Sequence, residues 1–163
     1  MDITFQSITL FSTLLLTGLS AGLFLAWQVS VIPGTKRVQD SSYIETMQHI
    51  NRAIINPVFM VIFLGPVPLQ ILSAYLYRAD SSIFWPIIFT FVLYTIGTVL
   101  VTGLGNVPLN DQLDTRSLHD LDKDQIIRER QLYEGQWNKL HAIRTVFAVI
   151  AFGLLLFVSV TPL

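Results

Sequence analysis

Trp137, His141 and Arg144 are the residues whose types and spacing point most directly to chemistry. They stand at i, i+4 and i+7, so an α-helix carries all three on one face, and Tyr133 extends that face by a turn. A histidine titrates near neutrality. Arg144 falls where the chain turns apolar, and an ionisable side chain at such a depth is costly unless it is paired or faces a cavity. A second group occupies Thr102-Gly103-Leu104-Gly105-Asn106-Val107-Pro108-Leu109-Asn110, at the end of an apolar run. There the glycines admit close backbone approach, Pro108 leaves a carbonyl unpaired, and Asn106 and Asn110 bring donors and acceptors. Gln48, Asn51 and Ile55 form a third stripe, next to Asn56 at the start of another apolar run. Gathered at one end of a helix bundle, these side chains would line a pocket. Plainer roles are open to each of them. The 102–110 stretch can be a helix C-cap, His141 can bond a loop carbonyl, Arg144 can reach to headgroups, and Trp137 can anchor at the interface.

The elements that must position them are membrane helices. Of 163 residues, 52% are apolar and 13% charged, with mean hydropathy +0.58. That charged share is about half the roughly 25% of a soluble domain. The apolar residues come in four blocks, which predicts one all-α domain of four transmembrane helices over about 3–32, 57–77, 83–105 and 140–161. Met1-Asp2 lacks the basic start of a signal peptide, so the first block reads as a helix that stays. Gly18 and Gly22 make a small-xxx-small face, and Pro33-Gly34 is expected to stop that helix. Met47, Ile50 and Ile54 predict a short amphipathic helix within the first connection. Asn56-Pro57 reads as N-cap and first position of the second span, and Gly65, Pro66 and Pro68 predict a kink in it. From Asp122 onward one long helix begins outside the membrane and becomes the fourth span.

Four spans place the connections 33–55 and 106–141 on one side. Nine of the ten basic residues lie there (Lys36, Arg37, Arg52, Arg116, Lys123, Arg128, Arg130, Lys139, Arg144), and only Arg78 lies opposite. The positive-inside rule then puts both connections in the cytoplasm of a bacterial plasma membrane and both termini outside. The absence of cysteine excludes disulfides and thiolate chemistry. A net charge of −1 gives no pull towards nucleic acid. No metal is expected: no two of the three histidines stand at i,i+3 or i,i+4, although His49 and His141 share a side and a shared haem or metal is a third reading. The acidic residues 111–124 do not keep EF-hand spacing.

Several of these pieces together resemble a family. Gly18-x-x-x-Gly22-x-Phe24, Ile32-Pro33-Gly34, Met47-Gln48-x-Ile50-Asn51-Arg52, Asn56-Pro57-x-Phe59, Asn106-Val107-Pro108-Leu109-Asn110 and Trp137-x-x-x-His141-x-x-Arg144 look like the anthrone oxygenase-like integral membrane proteins. The resemblance implies a four-helix membrane protein. In fungal and actinobacterial members it implies oxidation of polyketide anthrones to anthraquinones by molecular oxygen, with no cofactor. On that reading His141 is the candidate base, while Arg144, Asn106 and Asn110 hold the oxyanion. Trp137 and Tyr133 would stack on the rings, with Gln48, Asn51 and Asn56 completing the substrate site. The alternative is a non-enzymatic binder or carrier of a small lipophilic molecule, or a subunit of a membrane assembly. The expected partners are the lipid bilayer and a small aromatic or lipophilic ligand, with an oligomer left open.

Overall fold

The computed structural model describes residues 4–160, all-helical with no strand among the described residues. Its elements are α1 (Phe5–Thr35), α2 (Asp40–Ala53), α3 (Pro57–Leu76), α4 (Ser81–Asp114) and α5 (Lys123–Val160). All but α2 are long and apolar enough to cross a membrane.

Each long helix starts where a side chain can satisfy its orphan N–H groups. Thr4 and Ser7 cap each other reciprocally before α1. Asn56 accepts from the Phe59 N–H at 3.0 Å, with Pro57 as the first helical residue. Asp80 accepts from the Ser82 N–H at 3.0 Å and from its hydroxyl at 2.6 Å, which holds the Asp80 carboxyl below its ordinary range. Asp122 and Gln125 exchange side chain-to-backbone bonds of 2.8 Å, a capping box for α5.

Two expected stops are not stops. Pro33-Gly34 lies inside α1, which runs on to Thr35 after a π-turn at Trp27–Val31. A proline removes only its own N–H bond, and wider i→i+5 pairing just before it keeps the backbone helical. Likewise 102–110 is no C-cap. Two π-turns, Thr95–Leu100 and Thr102–Asn106, carry α4 past Pro108 to Asp114, so the third helix outlasts the expected end near Gly105. The glycines serve packing instead. A Cβ on Gly97 would sit 2.0 Å from the Phe147 ring, and one on Gly105 would sit 2.9 Å from Leu140. The expected interruption of α3 does occur, between Pro57–Leu64 and Pro66–Leu76, and a Cβ on Gly65 would meet Leu16 at 2.6 Å. Gly135 does not break α5.

Around the bundle the order is α1, α3, α4, α5 and back to α1. The half nearer Phe5 and Val160 buries polar side chains. Thr13 and Ser73 pair at 2.9 Å, and Gln70 donates to Thr17 at 3.5 Å. Tyr94 joins Ser20 at 2.7 Å and donates to the Phe63 carbonyl at 2.8 Å. The opposite end is roofed by α2, which lies across α4 and α5. Its inner face, Tyr43, Ile44 and Met47, packs with Ile32, Leu113, Tyr133 and Trp137. Gln48 fastens the roof by donating to the Leu113 and Arg116 carbonyls, each at 2.8 Å, where α4 runs out of helical donors. The two polar connections therefore meet on one side of the bundle.

Candidate functional site

Beneath the α2 roof lies a cavity of about 400 Å³. Its wall is largely apolar and aromatic, with Phe24 and Trp27 from α1, Phe59 and Phe63 from α3, and Trp137 from α5. Polar groups enter from α2, α4 and α5: Asn51 and Arg52, then Thr102, Asn110, Asp111 and Asp114, and His141 and Arg144.

The three-residue face of α5 is at the centre, as helical spacing dictates. The Trp137 and His141 rings stack at 4.9 Å with 6° between planes. Arg144 turns back along its own helix and donates to His141 Nδ1, from Nε at 3.1 Å and from Nη2 at 2.8 Å. A guanidinium only donates, so Nδ1 is the bare nitrogen of a neutral ring. Nε2 therefore carries the hydrogen and donates to the Phe24 carbonyl at 3.1 Å. Both ring nitrogens are engaged, so His141 can accept a substrate proton only at Nδ1, once Arg144 releases it.

Arg144 also donates from Nη1 to Thr102 Oγ1 at 3.3 Å. Its guanidinium carbon stands 4.7 Å from the Phe24 ring centre and 5.2 Å from that of Trp137. Among the described residues no carboxylate pairs with it, and it is 7% exposed. Three of its five N–H groups have protein partners. What balances the charge is a set of dipoles and aromatic faces beside open space.

A second network fixes the wall next to it. Trp137 Nε1 donates to Asn110 Oδ1 at 2.8 Å and Tyr133 does so at 2.9 Å, while Asn51 donates to the Tyr133 hydroxyl at 3.2 Å. The indole can only donate, so it sets the orientation of the Asn110 amide. The Asn110 NH₂ is thereby left as the group free to donate into the cavity.

A family model described as anthrone oxygenase matches residues 59–154, more than half of the chain. The chain belongs to the anthrone oxygenase family. No curated protein and no solved structure matches it. The matched segment of this anthrone oxygenase family member holds Asn110, Trp137, His141 and Arg144, and leaves outside it the cavity residues of α1 and α2.

The structure brings together most of the side chains singled out by sequence, with different roles for some. Asn51, Asn110, Trp137, His141 and Arg144 line the cavity. Tyr133 stands behind that wall, and Gln48 holds the end of α4. Asn56 is an exposed N-cap. Asn106 is fully buried and donates to the Trp137 carbonyl at 3.3 Å, while its Oδ1 has no partner. His49 is exposed and His141 buried, and the described residues hold no cluster of three potential metal ligands. Sequence reasoning gave no role in the site to Phe24, Trp27, Phe59, Phe63, Thr102 or Asp111. The aromatic ones lie in uninterrupted apolar runs, where nothing distinguishes a cavity wall from a packed core.

Proposed function

We propose that this protein oxidises a flat, weakly acidic aromatic molecule of the anthrone type with molecular oxygen, in the cavity under α2. The observation that carries the reading is Arg144, a buried cation that pairs with no carboxylate among the described residues, on the wall of a cavity lined by aromatic rings. Such a cation stabilises an anion more than its neutral parent, which is what ionising the carbon between the rings requires. Trp137 and Phe24 supply faces for the rings, and the Asn110 NH₂ supplies a second donor to the anionic oxygen.

The chemistry balances without a further reductant. Loss of a proton from the ring CH₂ gives an electron-rich anion, which passes an electron to oxygen. Carbon–oxygen bond formation and expulsion of water then leave a carbonyl. One oxygen atom ends in the product and the other in water. His141 takes the proton at Nδ1 once the Arg144 N–H groups release it, and Asp111 is the cavity carboxylate that forms no ion pair among the described residues.

The test is oxygen uptake by the protein in vesicles supplied with an anthrone, with ¹⁸O₂ to follow the label into the carbonyl. Absence of uptake on every anthrone removes the oxygenase reading. A second reading, a binder or carrier of the same class of molecule, is favoured by the engagement of both nitrogens of His141, because binding needs no base. Tight binding of an anthraquinone without uptake of oxygen would select it. We also place the α2 side in the cytoplasm and the chain ends outside. A reporter fused after Leu163 that scores as cytoplasmic overturns this orientation.

A further inference from the structure

The two ends of the cavity differ in a way that bears on how a molecule reaches Arg144. Towards water the margin of the cavity is polar: Arg52 at the end of α2 and Asp111 and Asp114 on α4 line it and are exposed. There Arg52 and Asp114 pair at 2.7 Å across the ends of α2 and α4.

Towards lipid the helices part. The Pro66–Leu76 half of α3 packs along both α1 and Ser81–Tyr94 of α4, whereas the Pro57–Leu64 half packs mainly on α1. The separation from α4 begins at Gly65-Pro66, where the helix ladder is interrupted. Pro66 and Pro68 withhold two N–H bonds there, which allows the halves to take different directions. Beyond that point the cavity fills the space between α3 and the far end of α4. Its wall there is apolar and open: Met60 is 38% exposed and Leu64 43% on α3, and Val107 is 41% exposed on α4. In a bilayer these side chains meet acyl chains.

We propose that the cavity is filled sideways from the bilayer, through the gap between Pro57–Leu64 of α3 and the Val107 end of α4, by a lipid-dissolved aromatic weak acid. This deepens the reading above and rests on it for the ligand. The gap admits an apolar, flat molecule in its neutral form, and only inside does it meet the guanidinium that favours the anion. On the water side the Arg52–Asp114 pair holds water-borne molecules off. The membrane thus acts as the reservoir from which the ligand is drawn.

The test uses two properties of the sequence: it has no cysteine, and its three tryptophans are Trp27, Trp85 and Trp137. Trp85→Phe leaves two tryptophans, both on the cavity wall. The protein is reconstituted in phosphatidylcholine vesicles whose acyl chains carry bromine, and fluorescence quenching is measured. Met60→Cys with Val107→Cys then allows the gap to be bridged by a short bifunctional thiol reagent. Quenching by brominated chains is expected before bridging and a loss of it afterwards, with iodide in the water quenching little in either state. In Arg52→Ala/Asp114→Ala, iodide quenching rises and bromine quenching stays. Strong iodide quenching with none by brominated lipid overturns the proposal. So does bromine quenching that bridging leaves unchanged, and so does the absence of quenching by either. None of these readouts needs turnover, so a failure of the oxygenase reading and a failure of the lateral route are seen separately.

Discussion

Arg130 and Arg144 lie fourteen residues apart on α5, about four turns and therefore on the same face. They are almost equally buried, at 8% and 7% exposed. Their surroundings are opposite. All five N–H groups of Arg130 have acceptors: Glu134 at 2.8 Å, Asp40 at 3.0 Å, the Val38 carbonyl at 2.8 Å, and the Thr35 and Lys36 carbonyls at 3.3 Å. Its guanidinium also lies over the Tyr43 ring at 4.5 Å. It closes the carbonyl end of α1 and ties α1, α2 and α5 together. Arg144 has a neutral imidazole, a hydroxyl, two aromatic faces and a cavity. The lesson is that burial of a charge does not mark a site. A saturated cation holds a fold, and a cation with donors to spare beside empty space can hold something else.

The sharpest way to break this comparison is to replace each arginine by methionine. Arg144→Met is expected to lower the rate of oxygen uptake by about 10²–10³-fold, the scale of losing one preorganised anion-stabilising donor. Its thermal midpoint in detergent should hold or rise, because a charge without a carboxylate has been replaced by an apolar chain of similar volume. A clear fall in the midpoint would make Arg144 a structural residue. Arg130→Met should do the reverse, lowering stability by about 1–3 kcal/mol as buried carbonyls and Glu134 lose their donor, with turnover per folded molecule retained. Equal loss of turnover in both variants would erase the distinction.

Smaller effects sharpen the picture around Arg144. His141→Ala removes the acceptor that holds the guanidinium and the donor to Phe24, at an expected cost of about 1–3 kcal/mol in denaturant unfolding. If His141 only orients Arg144, His141→Ala flattens no limb of the pH–rate profile. Loss of a limb would instead make it the base. Tyr133→Phe should cost about 0.5–1.5 kcal/mol and raise KM more than it lowers kcat, since Asn110 loses one of the two donors that orient it. Asn56→Ala should cost about 1 kcal/mol, the ordinary value of an N-cap, and leave KM unchanged. A change of KM there would return Asn56 to the substrate site.

How much was legible in advance follows from the range of the forces involved. The four apolar blocks, the caps at Asn56 and Asp122 and the shared face of Trp137, His141 and Arg144 depend on composition and on the 3.6-residue period, both of which are local. The sequence alone was therefore enough for the helix count, the family resemblance and the alignment of those three side chains. Proline and glycine were the misleading signals. Their local preference to end a helix at Pro33 and at Asn106 was overruled by π-turns and by the close packing of Gly97 and Gly105 against α5. Only the tertiary structure decided which polar side chain meets which. Gln48 went to the end of α4, Asn106 to the Trp137 carbonyl, and Asp40 to Arg130 rather than to Arg144. Those pairings join residues up to about ninety positions apart, and hydrogen bonds act only within about 3 Å. No periodicity in the chain can specify such contacts. They are set when α2 folds over the bundle and the Pro57–Leu64 half of α3 parts from α4, and that arrangement leaves Arg144 facing the cavity, paired with no carboxylate among the described residues.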